Sequence, residues 1–372
     1  MDRRVVVIGG GAGGIVAANR LARRDSHLEV IVLDGHGDHI YQPGLLRVPL
    51  GGRRLESLTR DLHGLLDRRV QLQVERAAGI DPDARIIELE GGSKMPFDFL
   101  VLATGSRVDP DLIPGFRDAA CHFHCQRRAV ALAETLSAFR GGDLVVGATR
   151  LPYKCPVAPI EMALLLDEHL SRDGRRAKTR IHFVYPLPRA SELEAVADLA
   201  ESLFEERGIH RHTPFEVASI DPAGRVLHSS DGTRLPFDLL MLVPPHQCAP
   251  ALRNSGLVGK SGFVPTDAKT LKVMDGIYAI GDNADLPVPK LASGAVLQAK
   301  TVVRNLRSEL AGNSATDAYD GRTSCFIETG FGRTALVKTA YDRPPTLQQP
   351  NRLNTVRKRL INQFYFWRAA RL

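Results

Sequence analysis

Cys155 is the residue whose neighbours best equip it to act as a nucleophile. It lies in Ala148-Thr149-Arg150-Leu151-Pro152-Tyr153-Lys154-Cys155-Pro156-Val157-Ala158-Pro159. An apolar run, Asp143-Leu144-Val145-Val146-Gly147, precedes this segment, and an apolar stretch with helical spacing from about Ile160 to Leu170 follows it. Amide dipoles at a helix start and the Lys154 ammonium both favour a thiolate, the reactive form of cysteine. Glu161, about one and a half helical turns further on, falls in range for proton traffic at the same thiol. The plainer alternative is a small packing residue followed by a first-turn carboxylate that the dipole favours.

A second constellation opens the chain. Val5-Val6-Val7-Ile8 is a short, β-branched run of the kind that forms a buried parallel strand, and Gly9-Gly10-Gly11-Ala12-Gly13-Gly14 follows without a gap. Gly9, Gly11 and Gly14 fit G-x-G-x-x-G: the first turns the chain, the second admits a pyrophosphate to the backbone, and the third lets helix pack on strand. A strand from Leu28 to Leu33 then ends at Asp34, twenty positions after Gly14, where a carboxylate can accept hydrogen bonds from a ribose. Two later segments resemble two-dinucleotide-domain flavoproteins. Phe97 to Ser106, with Ala103-Thr104-Gly105 at its turn, is similar to the segment that closes the first half of their FAD domain; Ile277-Tyr278-Ala279-Ile280-Gly281-Asp282 is similar to the late element whose aspartate holds the ribityl chain. By its own residues, Gly281 lets backbone approach a ligand and Asp282 ends a strand, where α/β sheets bind ligands. Capping of the following turn is the alternative for Asp282.

The elements needed to position these residues define an α/β fold with two Rossmann-like domains of the glutathione-reductase type, the second inserted into the first. The expected division is an FAD-binding part over 1–108, a second domain carrying Cys155 over 109–240, the return of the FAD domain over 241–310, and a C-terminal region over 311–372. Where a nicotinamide-binding insert would carry its own glycine loop, this chain has three prolines and a lysine, which cannot make that turn. The next strand, Thr179 to Tyr185, ends without an acidic residue for a ribose; only Arg189 is at hand for a 2′-phosphate. The expectation is FAD without nicotinamide.

Cys325 lies in Tyr319-Asp320-Gly321-Arg322-Thr323-Ser324-Cys325-Phe326-Ile327-Glu328-Thr329-Gly330, a strand leading into a glycine-bearing turn. This segment resembles the Y-D-G-x-T-S-C-P signature of sulfide:quinone oxidoreductases, and Lys154 to Glu161 resembles the C-P-x-A-P-x-E motif of the same family. Pro289-Lys290 through Gln298-Ala299-Lys300 is similar to the segment that lies along the flavin in the sister family, the flavocytochrome c sulfide dehydrogenases. The resemblance implies a redox pair, Cys155 and Cys325, that passes sulfur between its members beside FAD, with hydrogen sulfide as substrate and a membrane quinone as acceptor. It also implies a third cysteine, for which Cys125 is preferred over Cys121 in Cys121-His122-Phe123-His124-Cys125, although Gln126-Arg127-Arg128-Ala129 lacks the histidine expected after it. No metal site is expected there, because an extended stretch turns alternate side chains to opposite faces. Cys248 reads as a small packing residue, and Pro244-Pro245-His246 is expected to border the quinone or sulfide route.

The remaining features concern location. With 372 residues and 44% hydrophobic content, the chain can build two or three cores, and no run is apolar and long enough to span a bilayer. The start at Met1 carries no secretory h-region and five cysteines make no disulfide framework, so the expected compartment is cytoplasmic. Of the net +7, six charges sit between Pro350 and Leu372, on Arg352, Arg357, Lys358, Arg359, Arg368 and Arg371, with no acidic residue. Leu353, Val356, Leu360, Phe364 and Trp367 recur at helical spacing within the same stretch, which predicts an amphipathic helix lying peripherally on a lipid surface; a helix docked on the body with a solvated basic face is the alternative. Nucleic acid is not an expected partner, since no recognition module accompanies the charge, and a homo-oligomer is left open. Alternatives for the whole chain are the flavoprotein subunit of a sulfide dehydrogenase, a type II NADH:quinone oxidoreductase, and a flavin-binding sensor without turnover.

Overall fold

A computed structural model describes residues 3–25 and 27–371, so Met1 and Asp2 of the expected lead-in and Leu372 of the expected tail lie outside it. The β-branched run after Arg4 forms the strand Arg3–Ile8 at the centre of a six-stranded sheet. In order across that sheet lie Lys272–Met274, Ile277–Ala279, Phe99–Leu102, Arg3–Ile8, Leu28–Asp34 and Val70–Val74. All neighbours are parallel except the first pair. Val5 to Val7 are fully buried because the helices Ala12–Arg24 and Ala292–Leu310 cover one face of the sheet's centre and the antiparallel strands Ala77–Asp81, Ile86–Leu89 and Lys94–Pro96 cover the other, as continuous apolar strands require.

The insert repeats the plan. Ala120–Cys121, Leu239–Val243, Gly142–Ala148, Thr179–Val184 and Ile209–His212 form a five-stranded parallel sheet. The strand Leu239–Val243, which the expected boundary at 240 would divide, lies wholly in this second sheet. Beyond it Ser106–Val108 pairs antiparallel with His246–Cys248, so outgoing and returning chains cross between the units side by side.

After the long helix Ala292–Leu310 the chain forms an antiparallel sheet, Thr323–Gly330, Arg333–Ala340 and Arg343–Asn351, which packs on the insert's helix Ala158–Arg172. That helix is apolar on nearly all sides: Met162, Ala163, Leu164 and Leu166 are sealed, and Ile327, Ala335 and Val337 from the C-terminal sheet join the same core. Full burial of each such Leu, Met or Ile contributes roughly 1.5–3 kcal/mol, which fixes the strand bearing Cys325 against the helix that follows Cys155. Two short helices, Arg352–Gln363 and Tyr365–Ala369, complete the chain.

Candidate redox site

Gly9 to Gly14 bridge the end of Arg3–Ile8 and the helix Ala12–Arg24. Gly14 packs so tightly that an added Cβ would sit 1.9 Å from the Gly9 carbonyl oxygen, and a Cβ on Gly9 would sit 2.4 Å from that of Ala103. A Cβ on Gly11, by contrast, would meet nothing within 4 Å, so the loop faces open space at its middle. Asp34 holds the loop from the side: Oδ2 accepts from Gly10 N at 2.8 Å, and Oδ1 accepts from His36 N and Gly37 N at 2.9 and 3.1 Å. Across the sheet, Asn283 accepts from Gly105 N and donates to Leu102 O, and Gln298 accepts from Gly281 N at 2.7 Å. Asn283 had no place in the sequence reading, and Gln298 entered it only within the segment that ends Gln298-Ala299-Lys300; neither bond has a spacing signal, because each is made to a backbone group of another element.

Asp282 is half-buried, and its carboxylate accepts no hydrogen bond among the described residues. Burial raises its pKa, opposed by the Lys154 and Lys290 ammonium groups. An unanswered carboxylate opposite a glycine cradle fits a ligand that brings a diphosphate and a hydroxyl-bearing chain, and FAD has both. Thr104 and Ala103 lie at the strand end between them. Lys290 takes a different part from the one its motif implies. Its ammonium turns inward to the carbonyls of Asp282 and Ala284, at 2.9 and 3.0 Å, and lies 3.7 Å from the centre of the Phe263 ring. Its own carbonyl accepts from Cys155 N at 2.9 Å.

The cysteine loop is held at several points. Thr149 donates twice to Val243 O, Tyr153 donates its hydroxyl to Pro156 O, and Cys155 adopts φ +58, a left-handed conformation that non-glycine residues seldom take. Cys325 arrives from the C-terminal sheet, where Ser293 clamps the preceding residue: Ser324 N donates to Ser293 Oγ, which donates back to Ser324 O. Residues 290–293 thus anchor the backbone at both cysteines. The two thiols, both free, lie side by side. The expected thiolate at Cys155 is corrected here: a hydrogen bond with Cys325, then burial, push its pKa well above the ordinary thiol value. The helix begins only at Ala158, which weakens the dipole's hold, and the thiol partner outweighs the opposing charge of Lys358.

Glu161 is buried, and its Oε1 accepts from Glu328 N at 2.8 Å and from Lys358 Nζ at 2.9 Å. Lys358 also pairs with Glu328 at 2.9 Å, and Arg47 completes the cluster on Glu328. Burial raises the Glu161 pKa against the pull of Lys358. Glu161 therefore ties the insert to the C-terminal helix, while its charge still bears on Cys155. Sequence reading missed Arg47, Glu328 and this role of Lys358, because the four partners come from four separate segments. Lys358, expected beside the tail's apolar stripe, is corrected to an inward position with its side chain 13% exposed.

The tail docks through other residues than its stripe. Tyr41 donates to Asn362, and His39 links Gly10 O and the Tyr365 hydroxyl, each at 2.9 Å. Leu353, Val356, Leu360, Phe364 and Trp367 all point outward, 49–58% exposed. Cys125 caps the helix Gln126–Ala138 and lies near Lys154, whereas Cys121 is in the edge strand Ala120–Cys121 and Cys248 is packed in the FAD-domain core. Among the described residues no group of three or more His, Cys, Asp or Glu has metal-binding geometry, and no helix is long and apolar enough to cross a membrane. Two open surface depressions, one lined by Arg53, Arg54, Glu56 and Arg60 and the other by Pro49, His169 and Arg175, hold none of the expected site residues.

Comparison with known proteins agrees with this architecture. The chain is 26% identical to the mitochondrial sulfide:quinone oxidoreductase of Mus musculus over 354 residues, covering 92% of this chain and 79% of that protein. It is also 26% identical to the mitochondrial sulfide:quinone oxidoreductase of Schizosaccharomyces pombe, over 92% of this chain and 82% of the relative. The solved structure of the sulfide:quinone oxidoreductase of Aquifex aeolicus superposes with a TM-score of 0.88 at 22% identity, covering 99% of this chain and 92% of that one. The sequence pattern of the pyridine nucleotide-disulphide oxidoreductases matches residues 3–299, and the chain belongs to that family.

Proposed function

We propose that this protein is a sulfide:quinone oxidoreductase that uses FAD, with Cys155 and Cys325 as its redox pair. The observation that carries the reading is the meeting of these two thiols, brought from the insert and the C-terminal sheet and anchored by one segment of the FAD domain. The relatives named above share that activity by name and run nearly the length of the chain. The proposed site comprises Cys155 and Cys325, with Glu161 and Cys125 beside them. Gly9, Gly11, Gly14, Asp34, Ala103, Thr104, Gly105, Gly281 and Asp282 form the proposed cofactor cradle, which Lys290 braces from behind through the carbonyls of Asp282 and Ala284. The FAD-binding parts are assigned to 1–108 and, with the expected boundary at 240 moved past the strand Leu239–Val243, to 244–310; the insert is 109–243 and the C-terminal region 311–372.

In the oxidised pair, hydrosulfide attacks one sulfur of the disulfide. One S–S bond forms as another breaks, leaving a persulfide on one cysteine and a thiolate on the other. FAD, when bound, supplies an acceptor for two electrons and a route to a quinone. The protein's share is positional: residues 290–293 hold the two sulfurs together, the left-handed turn at Cys155 presents its side chain, and Lys154 lends positive charge. Sulfide loses two electrons and one proton as its sulfur becomes sulfane sulfur. No glycine loop joins the strand Gly142–Ala148 to the helix Ala158–Arg172, so NADH has no place in this scheme.

The outward stripe of the tail supports peripheral binding to a bilayer. Aromatic and aliphatic side chains lie exposed beside Arg352, Arg357 and Arg359, as an interfacial helix requires. The test of the whole reading is anaerobic. Sulfide should bleach the flavin spectrum rapidly and a soluble quinone should restore it, with NADH inert. Bleaching by NADH but not sulfide would overturn the proposal.

A further inference from the structure

Two imidazoles grouped with Tyr153 and Lys154, just before Cys155 in the chain, are not used by the scheme above. His124 and His246 meet edge to face with ring centres 5.3 Å apart, and Tyr153 stands 6.4 and 6.2 Å from them. Both side chains are more than nine-tenths buried, and the Nε2 atom of each has no hydrogen-bond partner. Leaving a buried polar atom unpaired costs about 1–3 kcal/mol, so two such atoms grouped with Tyr153 and Lys154, the residues that lead into Cys155, call for a ligand.

The chemistry of that ligand follows from what faces it. His246 Nδ1 lies 2.9 Å from Pro244 O, a carbonyl that can only accept, so Nδ1 carries the proton and Nε2 offers a lone pair. Burial first, and then nearby positive charge, keep both rings neutral: the His246 pKa falls to about 3, and that of His124 well below its ordinary value. Lys154, next to Cys155 in the chain, weighs on both rings yet makes no hydrogen bond or ion pair among the described residues. A lone pair, a second imidazole nitrogen and an unanswered ammonium suit a small anion that carries one hydrogen of its own.

We propose that His124, His246 and Lys154 form a receiving site for hydrosulfide beside Cys155, in which S–H donates to His246 Nε2 while the sulfur accepts from His124 Nε2–H and from the Lys154 ammonium. This inference rests on the sulfide reading and deepens it. An ordered water could answer both imidazoles, but it would bring no negative charge to the ammonium, whose nearest carboxylate, Asp282, makes no ion pair with it.

The experiment uses the FAD-loaded enzyme and two probes. Thiocyanate, an anion with no hydrogen to donate, is titrated into the oxidised protein while the flavin absorbance is followed. Sulfide concentration is then varied in anaerobic rapid mixing. Lys154→Met should weaken thiocyanate binding and raise the half-saturating sulfide concentration, each by about tenfold or more, as expected for a lost hydrogen bond to a charged group. His246→Leu should raise half-saturating sulfide similarly while leaving thiocyanate binding unchanged, and His246→Gln, which keeps an acceptor and guards against misfolding, should stay close to wild type. Unchanged half-saturation in Lys154→Met and His246→Leu would mean that the imidazoles hold only water and would overturn the site. Failure of sulfide to reduce the wild-type flavin would overturn the functional reading instead, and the thiocyanate arm would still decide whether Lys154 receives an anion.

Discussion

The loop after Arg3–Ile8 and the loop after Gly142–Ala148 leave their parallel sheets in the same way and are built from opposite residues. In the first, Gly14 lets backbone press against backbone and Gly11 leaves space for a ligand. In the second, prolines at 152, 156 and 159 stiffen the turn, and its left-handed position is taken by Cys155 at φ +58. One strand–loop–helix plan thus yields a phosphate cradle in one domain and a presented thiol in the other. The teaching is that topology sets where a ligand meets the sheet, while the loop's residues set which ligand that is.

The difference is broken most severely at the thiol itself. Cys155→Ser or Cys325→Ser removes the soft nucleophile from its loop or its strand, and sulfide-dependent flavin reduction should fall by about 10³-fold or more, as when an activated nucleophile is lost. The visible spectrum should still report bound FAD, since neither side chain belongs to the glycine cradle. Retained turnover in either variant would sink the redox pair. Gly14→Ala attacks the other loop. Its new methyl would lie 1.9 Å from the Gly9 carbonyl oxygen, and overpacking of this kind costs about 1–3 kcal/mol. The loop must shift, so the purified variant should carry about a tenth or less of the wild-type flavin, a loss of roughly 1.4 kcal/mol in binding or more. Flavin content equal to wild type would show that the cradle lies elsewhere.

The two loops also differed in how far the sequence disclosed them. The glycine loop announced its strand, its helix and Asp34 through local spacing, and the elements formed where that spacing put them. Cys155 was visible as a chemical oddity in a place where glycine was expected, but its meeting with Cys325 became legible only through resemblance, since the two lie in different sheets. The Glu161 cluster was not legible at all. Its ions come from Arg47, Glu161, Glu328 and Lys358, and sequence spacing carries no information about charges that meet across four elements. Lys358 was misplaced for the same reason: among the six basic residues of the tail, only tertiary packing selects the one that turns inward. His124 and His246 likewise gave no sign that two buried nitrogens would be left unpaired.

That cluster offers the next sharpening, because it fastens the C-terminal helix by buried ions to the helix that follows the thiol loop, whereas the glycine loop meets the tail through the His39 ring. Lys358→Met leaves the Glu161 carboxylate buried without its cation, a change that costs about 3–5 kcal/mol in buried pairs, and the denaturant midpoint should fall accordingly. The pH dependence has a definite sign. Burial raises the folded Glu161 pKa above its ordinary 4.5, so folding takes up a proton between the two values and stability is lost as pH rises through that window. Removing the ammonium lifts the upper edge of the window. The variant should therefore lie closest to wild type below about 4.5 and diverge from it as pH rises. A deficit independent of pH would mean that lost packing, not the unpaired carboxylate, accounts for the change.

The smallest effect is expected on the outer face of the same helix. Leu353, Leu360 and Trp367 stand 58%, 49% and 57% exposed, so replacing Leu360 with Glu removes little from the folded body, and stability should change by no more than about 0.5 kcal/mol. At a lipid surface the same substitution removes an apolar anchor of roughly 2 kcal/mol and introduces a negative charge beside Arg357 and Arg359. Sedimentation with anionic vesicles should show binding weakened by at least about tenfold, with sulfide reduction of the flavin unchanged because the stripe faces away from both cysteines. A water-soluble short-chain quinone should still reoxidise the Leu360→Glu enzyme at the wild-type rate, whereas a long-chain quinone dissolved in vesicles should do so more slowly. Equal vesicle binding by the two proteins would remove the stripe from the membrane contact and leave the tail with its inner face alone, as the clasp that holds Lys358 against Glu161.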